Sequence, residues 1–272
     1  MKIKCPAKIN LFLNVLGIKG SMHELCLINQ TIGLYDELEL IITKNNSIII
    51  ESNDNIPLDE TNSIYKAAKL FKETYNISDG FIFKVKKRIP VAAGLGGEST
   101  DAAGTLLILN EYYKLNKTKE VLSKLGIKIG SDIPFFIHSG FKKVSSIGDI
   151  ITNPTIINPF NWYIIIKPNF GLSTKEMYNK IDKYPFEKIN INKMPYNDFM
   201  KVVPETIIEI KDYLNNNNIN NHTLSGSGSA YYIALEKRNI KLYKKINEYF
   251  NNYEVKIVKN CNGFIIENKG VI

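Results

Sequence analysis

Arginine is nearly missing from this chain. Of its 35 basic side chains only Arg88 and Arg238 carry a guanidinium; the remainder are lysines spread along all 272 residues. Arginine is the preferred fork for phosphates and base edges. A net charge of +8 built without it argues against nucleic acid as a partner and for a lysine-rich surface that mildly attracts small anions. Cysteine and histidine are scarce too. Cys5, Cys26 and Cys261 form no C-x-x-C pair, and His23, His138 and His222 fall at no zinc-ligand spacing. An odd number of thiols with no pairing framework fits a reducing compartment. No apolar run reaches membrane-spanning length. Lys2, Lys4 and Lys8 precede or enter the run INLFLNVLGI in the manner of an export signal. Asn10 and Asn14 break that run, however, and no small-residue cleavage site follows. The expectation is a cytoplasmic protein with no membrane association.

What is present describes an ordinary globular chain, 44% hydrophobic and 23% charged, long enough for one large domain or two moderate ones. Ile9, Leu11, Leu13 and Val15 alternate as in a strand, and DELELIIT (36–43) and SIIIES (47–52) read the same way. TNSIYKAAKLFKETYN (61–76) places apolar residues at helical spacing behind a Thr/Asn start signal. A strand at 80–90, helices at 99–113 and 118–126, and a compact segment at 129–140 follow. The run NPTIINPFN (153–161) is the best linker and divides the chain into expected domains 1–153 and 154–272. Beyond it the pattern predicts a buried strand at 162–168, helices near 173–181, 204–215 and 240–250, and strands flanking a glycine turn at 222–235. Two more strands are expected at 253–259 and 263–267. Strands and helices mix without strict alternation, so the fold class is α+β.

Four segments carry chemistry. PVAAGLGGESTDAAG (90–104) contains neither the G-K-[ST] of a P-loop nor a dinucleotide fingerprint after a first strand. Gly94, Gly96 and Gly97 still let the backbone approach a bulky anion, and the helix that follows offers unpaired N–H groups. Ser99 and Thr100 add hydroxyls; the same residues also suit a plain glycine turn with Ser99 as N-cap. In CPAKINLFLNV, Lys8 and Asn10 fall on one strand face, where Lys8 alone also reads as a snorkelling surface lysine. In GSDIPFFIHSG, Asp132 enters an apolar run as an N-cap or as a partnered, buried carboxylate. LSGSGSA (224–230) reads as a hairpin turn.

In their order along the chain, PAKINLFL, PVAAGLGGEST and LSGSGSA resemble the three motifs of the GHMP kinase superfamily. PAKINLFLNV, SMHELCLINQTIGLYDELEL and GSDIPFF are most similar to its branch acting on a cytidine-diphosphate-linked methylerythritol. The resemblance spans essentially the whole chain. It implies a two-lobed architecture, an N-terminal ribosomal-protein-S5-like domain and a C-terminal ferredoxin-like domain with the active site in the cleft between them. It implies ATP-dependent phosphorylation of the 2-hydroxyl of that small-molecule substrate, with ATP and Mg2+ as cofactors, the Mg2+ bound mainly through ATP rather than by a side-chain cluster. Asp132 is then the general base, and Lys8 orients the hydroxyl and stabilises charge. Pro90, Val91, Ala92, Ala93, Gly94, Leu95, Gly96, Gly97, Glu98, Ser99 and Thr100 wrap the phosphates, and Asn62 contacts adenine. Asn10, His23, Thr174 and Tyr178 bind the substrate, His23 at the cytosine edge and Tyr178 on its face; Gly226 and Gly228 shape the phosphate or substrate side.

Two departures from the branch stand out. Met22 replaces an aromatic expected to stack on cytosine; a thioether can cover a ring face, with weaker stacking. Glu98 stands where small residues are usual, and a carboxylate facing phosphates repels them unless a metal intervenes. Its side chain is therefore expected to face solvent or to help hold Mg2+. The alternatives are another GHMP small-molecule kinase, of homoserine or mevalonate type, or a non-catalytic nucleotide-binding module of the same fold.

Overall fold

The alternation expected over 8–16 extends much farther. The computed structural model describes residues 1–267, 270 and 271; residue 272, the last of the second expected domain, lies outside them. In it β1 runs Lys2–Lys19 and turns at once into the 22-residue β2, Met22–Thr43. Only 36–43 of β2 is legible in the sequence. The central part of this ribbon is buried on both faces and includes polar residues: Asn10, Asn14, Asn29, Gln30 and Thr31 are all buried. Polar residues packed inside erase the apolar–polar period by which a half-buried strand is recognised. The ladder pairs Lys8 with Thr31 and Asn10 with Asn29, and slips at Pro6/Ala7, Asn10/Phe12 and Val15/Gly17.

The chain continues through β3 (Ile48–Glu51), α1 (Ser63–Tyr75), β4 (Gly80–Lys86), α2 (Gly97–Tyr112), α3 (Lys119–Gly126) and α4 (Ile133–His138). A hairpin that the sequence did not announce follows, β5 (Phe141–Ser146) and β6 (Ile150–Thr152). After the Asn/Pro-rich stretch come β7 (Trp162–Lys167), α5 (Thr174–Ile181), the two-residue β8 (Tyr196–Asn197), α6 (Glu205–Asn216), β9 (His222–Leu224) and β10 (Tyr231–Leu235). Then follow α7 (Ile240–Tyr249), β11 (Glu254–Lys259), β12 (Ile265–Ile266) and β13 (Gly270–Val271). Among the described residues the strands form two sheets. One runs β13-β12-β1-β2-β4-β3, with β5 and β8 added on β2 and β1 and β6 beyond β5; the other runs β11-β7-β10-β9.

Helix starts explain how the cleft is built. Asn62 caps α1, its side chain accepting from the Ile64 N–H at 2.8 Å and donating to the Pro57 carbonyl at 2.6 Å. A cap of this kind contributes about 1 kcal/mol. α2 begins two residues before Ser99: Gly96, at φ 74°, is its N-cap, and Ser99 lies inside the first turn. The N-cap role open to Ser99 is thus filled by a glycine, the residue that takes a left-handed conformation without steric cost. From Thr100 to Leu109 every residue of α2 is buried, as expected of a helix apolar on most sides and enclosed by other elements. Asp198 ties the later part of the chain to β1. It accepts from Asn14 Nδ2 and from the Val15 N–H, both at 2.7 Å, and from the Tyr196 hydroxyl at 2.6 Å.

Candidate active site

A cleft of about 410 Å³ runs from the loop ahead of α2 to α5. Every residue from Pro90 to Ser99 lines it, together with Asn62, Lys8, Asn10, Asp132, Thr174, Tyr178 and Gly226. Residues drawn from points far apart in sequence thus converge on one space. The two glycine-rich loops are bonded to each other: the Ala230 N–H reaches the Ala93 carbonyl at 3.1 Å, and Ser225 Oγ the Gly94 carbonyl at 3.0 Å. At Gly94, φ is +71° and a methyl group would collide with the Ser225 carbonyl oxygen. That close approach is why this position needs glycine. Gly226 approaches less closely from the other side, where a methyl would lie 3.0 Å from the Gly94 oxygen and 3.3 Å from Lys8 Nζ.

At the centre of the cleft stands Lys8, only 4% exposed. Its backbone N–H donates to the Leu95 carbonyl at 3.0 Å, which fixes strand β1 against the loop. Its ammonium donates to Asn10 Oδ1 at 2.6 Å and lies 3.9 Å from Asp132 Oδ2. The expected shared face of Lys8 and Asn10 is therefore a direct bond, and the solvated-lysine alternative falls away. Burial lowers the Lys8 pKa, and the Asp132 carboxylate opposes that shift. Asp132 holds the N-cap position of α4, yet its side chain makes no capping bond. The half-buried carboxylate turns to the cleft instead.

The remaining expected residues are placed unevenly. Asn62 lines the cleft, but both ends of its amide serve the α1 cap. Thr100 is buried beneath the loop with its hydroxyl unpartnered. Thr174 Oγ1 meets Ser227 Oγ at 2.8 Å, tying α5 to the second glycine loop. His23 stands outside the cleft lining and stacks on Tyr178, ring centroids 4.1 Å apart at 24°, while its Nε2 meets Asp182 Oδ1 at 2.6 Å. Tyr178 in turn contacts Phe199 edge-on at 5.0 Å. Met22 is 41% exposed at the hairpin tip. Gly228 stays away from the cleft lining; a methyl there would meet Leu172 and Leu224. Glu98 is exposed on the first turn of α2, and its side chain makes no ion pair among the described residues.

Sequence reasoning missed a charged group directly beneath the loop. Lys87 Nζ binds Asp36 and, at 2.6 Å, Asp101 Oδ2, while Asp36 Oδ1 also accepts from the N–H groups of Arg88 and Ile89. Lys87 and Asp101 both line the cleft, and a methyl on Gly97 would lie 3.3 Å from Lys87 Nζ. Burial pushes the Asp101 carboxyl up to about 7, against the pull of Lys87. The only sequence trace of this group is three charged residues abutting apolar runs, at YDELEL, KVKKRIP and STDAAG. Nothing in their spacing says that they meet.

Comparison with known proteins accords with this geometry. The GHMP kinases N terminal domain matches residues 62–140, from the cap of α1 to the end of the segment carrying Asp132. The chain is 39% identical over 232 residues to the 4-diphosphocytidyl-2-C-methyl-D-erythritol kinase of Clostridium perfringens, covering 82% of this chain and 78% of that one. It belongs to that kinase family. With the enzyme of the same name from Clostridium tetani it shares 45% identity over 186 residues; the match spans 67% of this chain and 65% of the relative, just under two thirds of its length. A crystal structure of a 4-(cytidine 5'-diphospho)-2C-methyl-D-erythritol kinase superposes with a TM-score of 0.80 at 24% identity, covering 97% of this chain and all of that one. The two-lobed GHMP kinase architecture is thereby shared. Among the described residues no helix is long and apolar enough to cross a membrane.

Proposed function

We propose that this kinase transfers the γ-phosphoryl group of ATP to the 2-hydroxyl of 4-diphosphocytidyl-2-C-methyl-D-erythritol, in the non-mevalonate route to isoprenoid precursors. One observation carries the reading: Lys8, Asn10 and Asp132 meet at the centre of a cleft walled by the 90–99 loop, in a chain of this kinase family. Phosphoryl transfer needs an acceptor hydroxyl held in line and a site that tolerates the developing charge. In our reading Asp132 takes the proton as the hydroxyl oxygen bonds to the γ-phosphorus, and the bond from that phosphorus to the leaving ADP oxygen breaks. The Lys8 ammonium, fixed by Asn10, orients the hydroxyl and stabilises charge at the transferred group. The loop from Pro90 to Thr100 and the unpaired N–H groups at the start of α2 take the phosphates. Asn62 borders the adenine.

We assign the base end to His23, Thr174 and Tyr178, with Gly226 and Gly228 shaping the turn beside them. The His23–Tyr178 stack leaves no gap for a third ring. A cytosine using that face of Tyr178 has to displace the imidazole. The hydrogen bonds that the imidazole then offers to the base edge would offset the lost stack.

Mg2+ would enter this site bound to ATP. No group of three or more acidic, histidine or cysteine side chains suited to a metal lies among the described residues, and Mg2+ on a nucleotide is held mainly by phosphates and waters. Ser99, which lines the cleft, is the loop hydroxyl that would join them; the unpartnered Thr100 hydroxyl is buried outside that lining. Such an ion would neutralise the developing phosphate charge. Residues 1–153 and 154–272 make up the two lobes in this reading, with β8 and β12 crossing back to β1. Three free thiols support a cytoplasmic location.

Product analysis tests the reaction. With Mg2+, ATP and the cytidine-linked acceptor, phosphorus NMR should show one new phosphomonoester on the carbon-2 oxygen and an unchanged diphosphate. Phosphorylation elsewhere on the acceptor would contradict it.

A further inference from the structure

From the cleft into the sheet behind it three side chains form a line. Lys8 Nζ donates to Asn10 Oδ1 at 2.6 Å, and Asn10 Nδ2 donates to Asn29 Oδ1 at 2.7 Å. Asn29 is fully buried, and its own Nδ2 has no partner among the described residues. It lies directly across the β1–β2 ladder from Asn10 and does not line the cleft. Its other cross-strand neighbour, Lys142 on β5, sends its ammonium to Asn153 Oδ1 at 2.6 Å.

An asparagine amide has one accepting end and one donating end. Asn10 offers oxygen to Lys8 only while its NH2 group points the other way, and the Asn29 oxygen is what receives that NH2. Turned by half a revolution, Asn10 would set an N–H against the ammonium, with one donor facing another. The orphaned Asn29 Nδ2 marks the cost of this arrangement: a buried donor is left unsatisfied so that the acceptors of the line all face Lys8.

We propose that Asn29 is a positioning residue that touches no substrate and locks the Asn10 amide so that its oxygen holds the Lys8 ammonium toward the acceptor hydroxyl. This rests on the reading of Lys8 as the residue that orients that hydroxyl. The groups facing Lys8 are few: Asp132 ahead of α4, Asn10 on its own strand, the Leu95–Gly96 backbone of the loop, and Gly226 of the second glycine loop. Asp132 is the one charged group among them. Burial already favours the neutral amine, and an oxygen accepting from the ammonium favours the charged form. Loss of the lock therefore moves Lys8 further toward neutrality.

The test is the steady-state kinetics of Asn29→Leu and Asn29→Asp over a pH series, with thermal unfolding and the KM for ATP as controls on folding. Asn29→Leu removes the acceptor at similar volume and should lower kcat about tenfold, with the KM for ATP within about twofold and the alkaline limb of kcat moved to lower pH. Asn29→Asp keeps an accepting oxygen and should stay within about threefold of the parent. Asn29→Ala gives the same readings if Asn29→Leu does not accumulate as folded protein. An unchanged kcat in the acceptor-less variants, a fixed alkaline limb, or an equal loss in Asn29→Asp would overturn the proposal. Lys8→Met separates the two layers. Full turnover in Lys8→Met sinks the reading of Lys8 itself, whereas abolished turnover beside a normal Asn29→Leu sinks only the lock.

Discussion

The two ends of the cleft are built to opposite plans. At the end proposed for phosphoryl transfer Lys8 is buried, bonded to Asn10, 3.9 Å from Asp132 and pinned to the loop through its own backbone. At the end proposed for the base His23 lies outside the cleft lining, stacked on Tyr178 and bonded to Asp182, while Met22 beside it is exposed. The first end is held because Lys8 and Asn10 stand on β1 and bond to each other, with Asp132 at the start of α4 facing them. The second is drawn from the end of a hairpin and a short helix, where a stack and one hydrogen bond to Asp182 hold the His23 ring. On the proposed assignment, chemistry that needs fixed geometry sits on the buried frame, and recognition that must admit a ligand sits at the edge.

The comparison can be broken first at the buried end. Asp132→Asn should lower kcat by about 10³-fold while calorimetry shows both substrates still bound; residual turnover near the parent's would end the general-base role. Gly94→Ala comes next. With φ at +71° and the Ser225 carbonyl in the way, it should cost about 1–3 kcal/mol in denaturant unfolding and raise the KM for ATP. At the other end, His23→Ala should raise the KM for the cytidine substrate about tenfold, the worth of one hydrogen bond, and leave the KM for ATP alone. A rise in both would mean that the two ends are not separate.

Two smaller effects concern the loop itself. Burial holds the Asp101 pKa at about 7, above that of an unfolded carboxyl. The folded state thus binds the extra proton, and the stability it confers is lost as pH rises toward and through 7. From pH 5 to 8 the parent should lose stability relative to Asp101→Asn, measured as the difference in Tm; a parallel response would remove Asp101 from the account. Glu98→Gly should change ATP affinity and Mg2+ dependence least of all, less than about twofold, because its exposed carboxylate makes no ion pair among the described residues. A marked loss of Mg2+ dependence would return Glu98 to the metal.

The same contrast governs what could be read from residues alone. The loop at 90–100, the strand face of Lys8 and Asn10, and Asp132 before α4 each announce themselves through local rules: glycine for close approach, period two on a strand, an acid ahead of an apolar helix. Their convergence was legible only through the resemblance to a family, since no local rule sets three distant segments 4 Å apart. The Asp36–Lys87–Asp101 group was illegible because salt bridges between separate elements leave no periodic trace. β2 was half missed because its buried Asn29, Gln30 and Thr31 imitate a surface. The Tyr178–His23 stack was expected as two residues around a base, and the structure brings them together face to face.

The central claim is that this cleft phosphorylates a cytidine-linked polyol rather than another small alcohol. ATP consumption by the purified protein, measured with 4-diphosphocytidyl-2-C-methyl-D-erythritol, homoserine and mevalonate in parallel, tests it most directly. The account predicts turnover with the first alone; equal or faster turnover with homoserine or mevalonate would contradict it.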